Sequence, residues 1–186
     1  MGRPKLTLQV EGVPMLQRVL TTLGRSKVDR VVVVLGSNAA EVKRSVKFIR
    51  EVIVVNRHYA DGMSSSLKLG LGEVSKEADA AIIVLGDQPF VSAKTIDRLV
   101  DAYKASGARV VVPVYRGARG NPVLFDRRMF GEITGIQGDV GAKSVVAGSG
   151  ENVLEVAVED DGVLVDIDTP SDYEREAARG TRRSRE

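Results

Sequence analysis

Asp87 and Asp168 stand out as residues able to do chemistry, because each closes an apolar run and meets a turn- or helix-forming residue at once. The first run is Ala81-Ile82-Ile83-Val84-Leu85-Gly86-Asp87-Gln88-Pro89; the second is Val163-Leu164-Val165-Asp166-Ile167-Asp168-Thr169-Pro170. Large apolar residues in succession, without alternation, suit a strand covered on both faces, as in a parallel α/β sheet. Ligands of such sheets gather at the carboxyl ends of the strands. Gly86 leaves room beside Asp87, and Pro89 stops the strand. Two strand-end carboxylates meeting at one sheet edge would suit Mg²⁺, which takes one or two carboxylates and completes its shell with water and substrate phosphates.

Each acid also has a plainer reading. Asp87 could sit in a turn or cap the next helix, and Asp168 could be the N-cap ahead of Thr169-Pro170. Asp166, two residues earlier and on the same side of the strand, competes with Asp168 for the cation. Lys5, in Met1-Gly2-Arg3-Pro4-Lys5-Leu6, supplies a compact ammonium beside a glycine turn, a natural counter-charge for a triphosphate. His58 could act as a general base, but a loop histidine beside Arg57 is expected to be exposed.

The elements that would position these groups alternate along the chain. Strands are expected over Val31–Leu35, Val52–Val55, Ala80–Leu85 and Val110–Val112. Helices are expected over Ala39–Ile49, Met63–Val74 and from Ser92, as N-cap, to about Ala105, with Gly107 beyond its end. The spacing is close to the ~30 residues of a βαβ unit and predicts a Rossmann-like, doubly wound, mostly parallel sheet. After Val112 the pattern loosens. Residues 115–122 read as a loop or hairpin, Val123–Phe125 as a short strand, and Gly138-Asp139-Val140-Gly141 as the opening of a helix. Val153–Val158 alternates like an edge or antiparallel strand, Val163–Asp168 is the last strand expected, and Thr169-Pro170 starts a terminal helix.

Composition narrows the class further. The 186 residues suit one sizeable core. Cysteine is absent, which removes thiolate chemistry and disulfides, and no apolar run approaches the ~20 residues of a membrane span. A cytoplasmic, soluble protein is the expectation. Lys and Arg number 27 against 25 Asp and Glu, and aromatic residues make up only 4% of the chain. There is thus no charge excess or stacking surface to argue for nucleic acid. The basic run 179–186 reads as a solvated tail behind a single domain spanning residues 1–178.

Six segments, in order, carry a resemblance. They are Met1–Leu6, Gly62-Met63-Ser64-Ser65-Ser66-Leu67 with Gly70-Leu71, Leu85–Pro89, Arg119-Gly120-Asn121-Pro122-Val123-Leu124-Phe125, Gly138–Ala142 and Asp166–Pro170. Together they resemble the MobA/MocA-like nucleotidyltransferases, and most closely the molybdenum cofactor cytidylyltransferase branch. The resemblance implies a Rossmann-like domain in which a phosphorylated acceptor attacks the α-phosphate of an NTP, CTP or GTP, and expels pyrophosphate. It further implies that Lys5 contacts the phosphates and that Asp87 and Asp168 hold Mg²⁺. Gly2 and Gly86 then flank the nucleotide, with Asn56, Gly62, Ser65 and Ser66 near its base and ribose. Arg119, Gly120 and Asn121 face the acceptor.

Two departures accompany the likeness. The family's first strand and glycine-rich loop, which normally precede the Met-Gly motif, are not found ahead of Met1, so further N-terminal sequence is expected. Asn121 replaces the histidine usual after Arg-Gly in the cytidylyltransferase branch, which bears on the acceptor. Other acceptors, a sugar phosphate or a phospholactate, are the alternative within the enzyme class. A nucleotide-binding module without catalysis and an interaction protein of the same fold are the alternatives outside it.

Overall fold

The computed structural model describes residues 4–74, 78–138, 141–169 and 171–176. Residues 7–30 carry no element in the sequence expectation, yet they fold as a hairpin and a helix. A 3-10 turn, Lys5–Thr7, leads into β1 (Gln9–Val10) and β2 (Val13–Pro14), followed by α1 (Met15–Gly24). Met15, Leu16, Val19, Leu20 and Leu23 form its buried face, the spacing of an amphipathic helix. Then come β3 (Val32–Leu35), α2 (Ala39–Ser45), β4 (Val52–Val55), α3 (Met63–Glu73), β5 (Ala80–Ile83) and α4 (Ala93–Ser106). Helix α2 stops four residues short of the expected Ile49. Val46 turns extended and still buries its side chain, and Ile49 is left 75% exposed. Helix α4 follows expectation at both ends: the Ser92 side chain accepts from the Thr95 N–H, and Gly107 closes it at φ 62°.

The second half supplies β6 (Val110–Tyr115), β7 (Ala118–Arg119), β8 (Val123–Asp126), α5 (Phe130–Gly135), α6 (Lys143–Gly148) and β9 (Val153–Ala157). Strands β3 and β4 pair in parallel from Val32↔Val52 to Leu35↔Val55. Strand β8 lies between β5 and β6 and is antiparallel to both, while β9 runs parallel to β6 along its other side. Hence β5, β6 and β9 share one direction, while β8 and the short β7 run against it, within the mixed α/β, mostly parallel arrangement expected. The reversal explains why the pattern loosens after Val112: a tight β6–β7 hairpin turns through Arg116 and Gly117, both at positive φ. No ladder joins β3 to β5 among the described residues. The two sheets share a core instead, in which Val33 and Leu35 meet the α1 face and Ile82 and Val84 pack against it.

One expected strand is corrected. Val163–Asp168 is not a strand but a 3-10 turn, Asp161–Leu164, followed by irregular chain. The edge beside β6 is taken by β9, so this segment adds no strand there. It is anchored by single bonds: the Asn121 N–H donates to the Val163 carbonyl at 2.9 Å and the Ile167 N–H to the Asp87 carbonyl at 3.2 Å.

A polar node ties α4 to the end of β8. Tyr103 Oη donates to Asp126 Oδ2 at 2.8 Å, with the Asp79 carbonyl also in range of the same proton at 3.0 Å, and Asp126 accepts from Arg128 Nε at 2.6 Å and from its N–H. The Arg128 guanidinium holds the Asp126 carboxyl down at about 2 against its own burial, with the Arg128 N–H and Tyr103 assisting. Burial and then the Asp126 bond push Tyr103 up to about 12. Because the folded value of Asp126 is depressed, its contribution is complete above the ordinary carboxylate range and disappears as pH falls through about 2. Tyr103→Phe is therefore expected to cost about 1 kcal/mol at neutral pH by urea unfolding. Asp126→Asn should flatten the loss of stability between about pH 4 and pH 2.

Candidate active site

Lys5, Asp87 and Asp168 come together although 163 residues separate the first from the last. Lys5 Nζ donates to Asp87 Oδ2 at 2.7 Å and to Asp168 Oδ1 at 2.6 Å, so one ammonium bridges two carboxylates from different loops. Burial by itself pulls Lys5 toward neutrality, but the bonds to Asp168 and Asp87 outweigh it and hold its pKa above the ordinary value. The turn carrying Lys5 is placed by its neighbour: the space that Gly86 leaves open is filled by Leu6, whose Cδ2 would lie 3.1 Å from an added Cβ. The same turn packs against α1 and α2, and α2 starts just past the carboxyl end of β3.

The alternative for Asp168, a helix N-cap, does not hold. Thr169 takes that role: its Oγ1 accepts from the Asp172 N–H at 3.1 Å, and Asp172 Oδ2 accepts from the Thr169 N–H at 2.9 Å. This is a reciprocal capping box, visible in retrospect as Thr169 followed three residues later by an acid. Residues 171–176 are helical. Asp168 is thereby left free to face Lys5, with its side chain 64% exposed.

The donor set fits a divalent cation. Asp87 Oδ1 is buried and has no hydrogen-bond partner, an arrangement that is costly for a carboxylate oxygen unless a cation or water meets it. The opposite oxygen already shares a positive charge with Asp168. Among the described residues no group of three or more His, Cys, Asp or Glu gathers to cage a metal. Two carboxylates and open positions suit Mg²⁺ or Mn²⁺ bound together with phosphates, rather than a closed structural site.

The residues expected at base and ribose form a second cluster. Asn56, at the end of β4, is buried; its Nδ2 donates to Ser65 Oγ at 2.8 Å and Ser66 Oγ at 2.9 Å, and its Oδ1 accepts from the His58 N–H at 2.9 Å. Ser65 Oγ donates on to the Gly62 carbonyl at 2.8 Å, and Gly62 turns the chain into α3 at φ 96°. Asn56 is thus fully engaged by its own chain and shapes this loop through the two serines. The side chain of His58 is 82% exposed, as expected of a loop histidine, 3.7 Å from Asp61.

Arg119, Gly120 and Asn121 form the third segment. Arg119 Nε pairs with Glu155 Oε1 at 2.7 Å across the sheet surface. Gly120 lies under Val163, whose carbonyl oxygen would be 2.4 Å from any Cβ placed there, and Asn121 is buried beside a cis bond to Pro122. Through Val163 this segment touches the stretch that leads to Asp168. Gly2 falls outside the described residues.

Similarity to known proteins follows the same lines. The MobA-like NTP transferase domain matches residues 1–155. The purine catabolism protein PucB of Bacillus subtilis (strain 168) is 32% identical, over 94% of this chain and 88% of its own. The structure of the Mycobacterium tuberculosis rv0371c homolog from Mycobacterium sp. strain JC1 superposes with a TM-score of 0.88 at 31% identity, covering 98% of this chain and 90% of that one. Rv0371C of Mycobacterium tuberculosis H37Rv, solved as a complex with manganese, gives a TM-score of 0.83 at 28% identity, with 95% and 93% covered. On these grounds the chain belongs to the MobA-like NTP transferase family and is a nucleotidyltransferase.

Proposed function

We propose that the protein transfers CMP from CTP to the phosphate of a molybdopterin-type cofactor precursor, with Mg²⁺ bound by Asp87 and Asp168, and releases pyrophosphate. The observation that carries this reading is the convergence of both carboxylates on Lys5, with one Asp87 oxygen buried and unpartnered. An acceptor phosphate oxygen forms the new bond to the α-phosphorus as the bond to the bridging β-phosphate oxygen breaks, so the electron pair leaves with pyrophosphate. Such chemistry asks a protein for positioning and charge neutralisation and needs no side-chain nucleophile. A bound Mg²⁺ supplies neutralisation of the triphosphate and polarisation of the α-phosphate. Lys5, freed from the carboxylates, pairs with the phosphates and stabilises charge on the departing pyrophosphate, with Gly2 and Gly86 beside it. Asn56 holds Gly62, Ser65 and Ser66 in the form that receives base and ribose. Arg119, Gly120 and Asn121 face the acceptor. The Gly86-Asp87-Gln88-Pro89 motif, by its family resemblance, favours CTP over GTP.

The test is pyrophosphate release with CTP or GTP, Mg²⁺ and each of molybdopterin, a sugar phosphate and a phospholactate. CTP with molybdopterin should be fastest. Release with another acceptor reassigns the substrate, and CTP·Mg²⁺ binding without release from any acceptor makes the chain a nucleotide-binding module. Lys5→Met should lower kcat/KM by on the order of 10²-fold, as expected for losing one charge-stabilising donor.

A further inference from the structure

We propose that Gln88 and Asp166 form a latch that positions Asp168 against Asp87. The inference rests on the cation site described above and assigns it two positioning residues. Asp168 is not held by a sheet: residues 165–169 belong to no ladder and to no helix. Its place depends on a few contacts that this segment makes with the loop after β5 and with β1 and α1. One is the main-chain bond from the Ile167 N–H to the Asp87 carbonyl at 3.2 Å. A second is burial of Ile167, 1% exposed, among Val10 and Met15. The third is a side-chain bond from Gln88 Nε2 to Asp166 Oδ1 at 2.5 Å.

Gln88 is 2% exposed, so its amide meets the half-buried Asp166 carboxylate from within the fold, and a charge-assisted bond of this kind is among the stronger ones. The Gln88 Oε1 is buried without a hydrogen-bond partner. The amide therefore donates to the acid while its own acceptor stays unsatisfied, a cost that packing alone would not explain. The latch brackets Asp87 and Asp168 in both segments: Gln88 follows the first acid directly, and Asp166 precedes the second by two residues. It also settles the competition between Asp166 and Asp168. Asp166 is committed to Gln88, and Asp168 is the acid that reaches Lys5.

Mn²⁺ binding to the intact chain, read from the EPR signal of free Mn²⁺, tests this without reference to any acceptor. Gln88→Met removes the donor at similar volume, and Asp166→Ala removes the acceptor at a partly exposed position; each should weaken Mn²⁺ binding by about 10-fold or more, the range for residues that orient metal ligands. Asp166→Asn keeps an acceptor oxygen for Gln88 and should stay within about threefold of the parent. Circular dichroism and thermal melting accompany each variant. Should Gln88→Met not fold, the contrast between Asp166→Ala and Asp166→Asn decides alone. Unchanged Mn²⁺ affinity in Gln88→Met and Asp166→Ala overturns the latch while leaving the cation site standing. A drop in Asp166→Asn as large as in Asp166→Ala, with Gln88→Met unaffected, overturns it in favour of Asp166 as a direct ligand. If Asp87→Asn binds Mn²⁺ as the parent does, the cation site itself fails.

Discussion

Asp87→Asn is expected to lower pyrophosphate release by on the order of 10³-fold or more while leaving the fold intact. Asparagine keeps the shape of the side chain but removes the charge, so a divalent cation loses its more buried carboxylate. The surviving partner, Asp168, lies on an irregular segment and is 64% exposed, which makes it a poor sole ligand. Folding should tolerate the change. Exposed or half-exposed ion pairs contribute roughly 0–1 kcal/mol, and Lys5 retains its bond to Asp168. The decisive comparison is activity against thermal midpoint: a large loss in the first with little change in the second is the expected result. Equal turnover by Asp87→Asn and the parent would remove the cation from the mechanism.

Gly120→Ala should destabilise the protein by about 3 kcal/mol, the upper part of the range for forcing extra volume into a packed interior. The constraint is contact with backbone, not conformational freedom. An added Cβ would lie 2.4 Å from the Val163 carbonyl oxygen and 2.9 Å from its carbonyl carbon, and Val163 is fully buried. That carbonyl also accepts the Asn121 N–H, so its displacement strains a second bond. Because Val163 leads into Asp166 and Asp168, Mn²⁺ affinity should fall along with urea stability. Gly72→Ala, near the end of α3 with nothing within 4 Å of the added atom, is the control and should stabilise by about 0.5 kcal/mol. A Gly120→Ala protein within about 1 kcal/mol of the parent would show that Val163 can move away freely.

Asp87 was legible because an apolar run ending on an acid is a local pattern, and Ser92 and Gly107 were legible as the two caps of α4 for the same reason. Helix α1 was equally local, since Met15, Leu16, Val19, Leu20 and Leu23 repeat at helical spacing. Asn56 is different. Its partners Ser65 and Ser66 lie nine and ten residues on, across an irregular loop, and a side-chain bond of that kind leaves no periodic trace. Gly120 and Asn121 stand out in the sequence only through the family resemblance, which implies an acceptor-facing role, whereas their packing against Val163 emerges only from a contact across more than forty residues.

Residue order alone determined the alternation of strands and helices, the carboxylates at Asp87 and Asp168, the ammonium at Lys5 and the family they resemble, because periodicity, caps and motifs are properties of neighbouring residues. Tertiary structure decided how Asp168 is held. A strand expected at Val163–Asp168 is instead a 3-10 turn and a segment tethered by single bonds to Asn121 and Asp87, with β9 occupying the edge of β6. Whether an apolar run becomes a strand depends on an unoccupied partner edge, and that is a property of the assembled sheet rather than of the run itself.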